Sequence, residues 1–172
     1  MAGAVNDWSV TVPLHALDRG PVHRRLEPDE SERARIAAQL ALPGIEALAA
    51  DVTVSPWLDG AEVTGCWSAR VVQECGVTLE PFATDLTGDF SVRAVPAGSV
   101  NAPSEDPEVT VELDAEDPPD VLHAPEIDIA ALLVEHVALE LDPFPRAPGV
   151  DFEPPAPERP ISPFADLAKL KP

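Results

Sequence analysis

The chain of 172 residues carries 31 Asp and Glu against 11 Lys and Arg, a formal charge of -20, which sets most of its surface against a phosphate backbone and favours cationic partners met quickly and salt-sensitively. Its hydrophobic share of 45% is globular and argues against wholesale disorder, and its length suits one ordinary domain with tails. No run approaches the ~20 apolar residues of a membrane span, the two cysteines do not make a disulfide scaffold, and the N-terminal residues lack a basic, then apolar secretory pattern, so the expected compartment is the cytoplasm.

Trp8, Val10 and Val12 alternate with polar or small neighbours, predicting a first strand that ends at Pro13. A basic segment follows with Arg19, His23, Arg24 and Arg25. Glu27 to Leu42 reads as a helix: Asp29 can cap its first turn, Glu32 completes a capping box, and Pro43-Gly44 stops it. Leu48, Ala50, Val52 and Val54 alternate along a strand. Asp59-Gly60 is the chemistry of a two-residue hairpin loop. The return strand, Ala61 to about Leu79, puts Val63, Trp67, Ala69 and Val71 on one face and Glu62, Thr64, Cys66, Ser68 and Arg70 on the other, with a bend expected near Gly65 or Gly76. Phe90, Val92 and Ala94 mark another strand, ended by Pro96.

Between Arg93 and Arg146 there are thirteen Asp and Glu and no Lys or Arg, and seven of those acids crowd between Glu105 and Asp117. Such a run either is a solvated face or attracts a basic partner, for which Glu112, Asp114, Glu116, Asp117 and Asp120 are the candidates. Val109, Val111 and Leu113 alternate within it, predicting a short strand whose charged face discourages edge pairing; Asp114 to Pro125 reads as a connection. Asp128 caps a second predicted helix, Ile129 to Leu141, stopped by Asp142-Pro143. That helix is apolar around nearly its whole circumference, which calls for burial or for a covering partner. Past Phe152 the chain is proline-rich and expected to be extended or disordered. Near its end Ser162 can cap a short turn in which Phe164, Leu167 and Leu170 share one side, either a docking peptide or a turn that folds back. The expected fold is one α+β domain over residues 1–152, a curved, mostly antiparallel and partly barrel-like sheet with two main helices, followed by a flexible proline-rich tail over 153–172.

Little in this pattern points to catalysis. Gly-rich phosphate loops, nucleophile elbows and Cys-x-x-Cys pairs are missing. Cys66 and Cys75 on one extended strand would stand roughly 30 Å apart, too far for a disulfide without a bend. His15, His23, His123 and His136 show no ligand spacing, and His136 reads as a core or boundary histidine. Asp114 to Asp120 lacks the glycine and terminal Glu of an EF-hand. Arg19, Arg24, Arg25, Arg33 and Arg35 make the one candidate patch for RNA or partner contact, with acids interleaved.

Three segments together resemble the YceD proteins, also called large ribosomal RNA subunit accumulation proteins. They are Val63 to Pro81 with its Cys75-x-x-x-x-x-Pro81 ending, Asp114 to Asp120 with Ile127 to Arg146 containing Asp142-Pro143, and the Pro-Phe-Ala-x-Leu-Ala-x-Leu-Lys tail from Pro163 to Lys171. The resemblance implies a cytoplasmic, bacterial-type, non-enzymatic factor without cofactor, needed for accumulation of large-subunit ribosomal RNA. Its expected partners are an assembling large subunit or a basic ribosomal protein, with no membrane, and direct RNA contact is left open. Many relatives carry Cys-x-x-Cys where this chain has Cys75-Gly76-Val77-Thr78. Thr78 replaces the second cysteine, which turns Cys75 into a small residue packed at a strand end. The alternatives are a thiol- or metal-binding module centred on Cys75 and a small-molecule enzyme, which would need a polar pocket on the sheet.

Overall fold

A computed structural model describes residues 8–103 and 118–152. In chain order these form β1 (Thr11–Pro13), a 3-10 helix (Leu14–Arg19), β2 (Val22–Leu26), α1 (Glu30–Gln39), β3 (Gly44–Trp57), β4 (Gly60–Glu74), β5 (Pro81–Pro96), β6 (Asp120–Leu122), β7 (Glu126–Asp128) and α2 (Ile129–Leu139). The fold is α+β. Five strands in the order β2-β3-β4-β5-β6 make one sheet, antiparallel except for the parallel β5–β6 pair, and β1 and β7 form a separate antiparallel ladder. The expected barrel-like character is not realised as closure: among the described residues β2 and β6 remain the two ends of the sheet.

The core lies on one face of the long strands. Leu48, Ala50, Val52 and Val54 of β3, Val63, Trp67, Ala69 and Val71 of β4, and Phe90 and Ala94 of β5 pack with Ile36 and Ala37 of α1 and with Ile129, Ala130, Leu133, Val134 and Val137 of α2. Period-two alternation therefore finds its inner face as expected. α2 is less fully enclosed than its composition suggests, because Leu139 is 73% exposed and Glu135 and Ala138 face solvent. His136 stacks on Phe90 with ring centroids 4.6 Å apart and bonds Leu132 O through Nδ1, the boundary role expected of it.

Both helices start where local chemistry dictates. Asp29 Oδ1 accepts the Glu32 amide at 2.8 Å while Glu32 Oε2 accepts the Asp29 amide at 2.7 Å, a complete capping box. α1 begins at Glu30 rather than Glu27, since its cap Asp29 is extended, and it stops at Gln39 before Ala41, which has a positive φ of 54°. Asp128 Oδ1 accepts the Ala130 and Ala131 amides and also that of Val10, so one carboxylate caps α2 and ties it to the chain entering β1.

The long hairpins depart from expectation in instructive ways. Trp57 pairs with Gly60, so the β3–β4 loop is Leu58-Asp59, and Leu58 carries the positive φ of 51°. Gly60 lies one residue past the loop, where a Cβ would run into the Ala94 carbonyl of β5. Close backbone approach, not turn geometry, requires that glycine. β4 ends at Glu74, five residues before Leu79, and the chain reverses at Cys75–Leu79 around Gly76. Gly65 does not break the ladder. It stands opposite Phe90, and Trp67 stands opposite Gly88, so each ring lies over the other strand's glycine.

Four ladder segments escape the sequence pattern. β2 offers only Val22 and Leu26 as apolar anchors, the first half of β5 alternates small and polar residues, and β6 and β7 are three residues each. The strand expected at Val109 to Leu113 lies outside the described residues, as do the first four residues, 114–117, of the connection expected up to Pro125, whose described part contains β6.

Candidate interaction surface

The face of the sheet opposite the core is polar, and the strand register decides which charges meet. Arg25 is in register with Asp51 and binds it at 2.8 Å, with Glu27 at 2.6 Å completing the pair. Arg70 is in register with Asp85, donates to both of its oxygens at 2.7 and 2.8 Å, and reaches Glu46 at 2.9 Å. Arg93 is in register with Glu62 and pairs with it at 2.9 Å, its guanidinium 5.3 Å over the Trp57 ring. His23 Nδ1 meets Thr53 Oγ1 at 2.9 Å. The Glu27 hydrogen bond and Asp51 raise the Arg25 pKa, and Asp85 and Glu46 do the same for Arg70. Exposed pairs of this kind add little to stability, because solvent screens them. Their larger effect is to cancel the cations of this face and leave acids in excess.

The five arginines proposed from sequence are carried by three successive elements. Arg19 ends the 3-10 helix, Arg24 and Arg25 lie on β2, and Arg33 and Arg35 on α1. Arg25 is neutralised as described. Arg33 is half-buried: it donates to Pro28 O at 2.8 Å, and its Nε is buried with no hydrogen-bond partner among the described residues. Arg24 donates to the His23 carbonyl. Arg19, Arg24 and Arg35 are exposed and make no ion pair among the described residues. Of the acidic candidates, Asp120 is exposed at the start of β6; Glu112, Asp114, Glu116 and Asp117 lie outside the described residues, as do Phe164, Leu167 and Leu170.

A groove of about 650 Å³ runs over the polar face. Its floor is small, with Ala47, Ala49, Ser68 and Thr87, and Arg70, Asp85 and Glu46 flank it. Glu27, Pro28 and Arg33 wall one side. Among the described residues no three His, Cys, Asp or Glu side chains gather as a metal would require. No described helix is long and apolar enough to cross a membrane.

The family-like positions meet at the far end of β4. Cys75 is fully buried, and the Cys75 amide donates to Glu80 O, the Leu79 amide to Cys75 O, and the Gly76 amide to Pro145 O. The Ala147 amide donates to the Cys75 Sγ at 3.4 Å. That bond, with the Thr78 hydroxyl and the Thr78 and Val77 amides, lowers the thiol to about 6. Pro81 opens β5 opposite Glu74. Asp142 accepts the Phe144 amide through its side chain, and its carbonyl accepts from Gln73 Nε2 at 3.2 Å. Gln73 is the one buried polar side chain among the described residues. It escaped selection on chemical grounds, yet it sits in phase with Val71 and Ala69, and that phase is its signal. Pro143 lines a cleft of about 630 Å³ between this region and Leu40–Pro43. Thr78 thus supplies a hydroxyl to the thiol. Cys66, the other free cysteine, is exposed on the polar face.

The model of the family described as large ribosomal RNA subunit accumulation protein YceD matches residues 63–171. That span begins inside β4 and takes in the Cys75 turn, β5, β6, β7 and α2. No curated protein and no solved structure matches.

Proposed function

Because this chain belongs to the YceD family of large ribosomal RNA subunit accumulation proteins, we propose that it sustains accumulation of large-subunit ribosomal RNA by binding, as a cytoplasmic, non-enzymatic factor. Its partner is a basic ribosomal protein or the assembling particle that carries one. The observation that supports this most is electrostatic: with a formal charge of -20, the exposed sheet face uses its arginines against its own acids and stays acidic. Glu112, Asp114, Glu116, Asp117 and Asp120 attract the cationic partner, Arg19, Arg24 and Arg35 supply any phosphate contact, and Phe164, Leu167 and Leu170 dock the tail.

The test is depletion followed by quantitation of both ribosomal RNAs. Large-subunit RNA falls relative to small-subunit RNA, and re-expression of the intact protein restores it. A ratio unchanged by depletion would overturn the proposal.

A further inference from the structure

The chain leaving α2 is pinned to the end of β4 by three bonds. Gln73 Nε2 donates to Asp142 O at 3.2 Å, the Gly76 amide to Pro145 O at 2.9 Å, and the Ala147 amide to Cys75 Sγ at 3.4 Å. The exit of α1 is fixed as well, since the Leu42 amide returns to Ala37 O and Ile36 and Ala37 belong to the core. The cleft of about 630 Å³ lies between these two anchored segments, with Leu40, Leu42 and Pro43 contributed by one and Leu141, Pro143 and Pro145 by the other. It is formed without a ligand, as binding pockets usually are. Leu139 and Phe144, chain neighbours of the lining residues Ala138 and Pro143, are 73% and 79% exposed against the described residues. Large apolar side chains gathered in one place mark a contact surface.

The charged residues of that lining are both acids, Glu74 and Asp142, and Glu140 stands at the end of α2 just before Leu141. The occupant that fits is apolar with cations beside its apolar groups. One segment of the chain has this composition. Phe164, Leu167 and Leu170 recur every third residue, and Lys169 and Lys171, the only lysines of the chain, flank Leu170. At that spacing the three apolar residues come to one side of a helical turn, the pattern of a helix laid in a groove. Length permits the return. Pro145 lines the cleft seven residues before Phe152, a stretch of at most about 25 Å, and the twelve residues from 153 to 164 reach up to about 40 Å. Tethering favours this segment over a free competitor, because a short linker holds its effective concentration on the order of millimolar. The family match spans both parts, since it takes in the end of β4, the chain after α2 and the tail to residue 171.

We propose that the cleft between the exit of α1 and the chain after α2 receives the protein's own C-terminal segment. Phe164, Leu167 and Leu170 enter against Leu40, Leu42 and Leu141, while Lys169 and Lys171 face Glu74 and Glu140. The apolar contact holds the segment, and the charges fix its direction in the cleft. The inference rests on the proposed docking of Phe164, Leu167 and Leu170 and assigns that docking a seat beside the Cys75 turn.

Carbodiimide coupling of lysine to carboxylate tests this in the full chain, because both lysines lie in the tail and every product can be assigned. At dilution Lys169 and Lys171 couple within one molecule to Glu74, Glu140 or Asp142. The double variant Phe164→Ala with Leu167→Ala keeps the charge and leaves the core untouched, and its coupling to those acids falls about ten-fold. The backbone amide signals of Leu40, Leu42 and Leu141 shift between wild type and variant. Coupling confined to acids of the tail, or spread over the sheet, overturns the inference, as does equal coupling in the variant. Coupling between isotopically light and heavy chains does so too, since a second copy would then fill the cleft. Capture of a basic ribosomal protein separates the seat from the docking role. If the lysines miss the cleft and the variant captures less than wild type, the seat is refuted and the docking role stands; if they miss it and capture is unchanged, both fall.

Discussion

Cys75 concentrates in one atom much of what holds the β4–β5 reversal. Burial alone would raise its thiol, but the Ala147 amide and the Thr78 and Val77 donors outweigh it and bring the pKa from 9.0 to about 6. Because the folded value is depressed, the stability it contributes is fully present above pH ~9, declines as pH falls and is gone below about 6. Denaturant unfolding of wild type and Cys75→Ser should therefore diverge as pH rises from about 5 to about 9. A difference that stays flat across that range would mean the sulfur acts only by its volume. None of these donors is adjacent to the cysteine in a way composition reveals, and Ala147 lies 72 residues away. Sequence identifies Cys75 as a small packed residue, which its burial bears out, and misses the bonds that set its chemistry.

At the scale of elements, legibility follows sequence distance. The caps of α1 and α2 are decided within four residues, so Asp29 with Glu32, and Asp128, can be read directly. β2 and the first half of β5 are decided by partners across a hairpin or farther, and their own side chains carry a weak apolar signal. The pairing of Arg25 is hidden for the same reason: it finds Asp51 across 26 residues, and no linear spacing announces that contact. Asp128 shows how a local signal can hold a distant contact, since its carboxylate also receives the Val10 amide. Replacing it with alanine should cost about 1–2 kcal/mol, at the upper end for a helix cap, because three amides lose their acceptor together. Urea titration measures this; a loss below about 0.5 kcal/mol would show that water takes over the cap.

For the molecule as a whole, a formal charge of -20 acts on two equilibria with opposite sign. Self-repulsion opposes the compact state, and attraction favours a cationic partner. Added salt, which shortens the screening length to about 10 Å at 0.1 M, weakens both. The isolated protein should therefore melt at a higher temperature as salt rises, while its capture of a basic ribosomal protein declines over the same range. Calorimetry and pull-down from one salt series check the pair, and a capture insensitive to salt would remove charge as the basis of recognition.

The crossed pairs of ring and glycine between β4 and β5 bear on how these strands find each other. With Trp67 over Gly88 and Phe90 over Gly65, sliding one strand two residues in one direction sets indole against phenyl, and sliding it the other way sets glycine against glycine with both rings unseated. Only one alignment of the two longest strands gives each ring a seat. The hairpin thus selects its own register by where the two rings can sit.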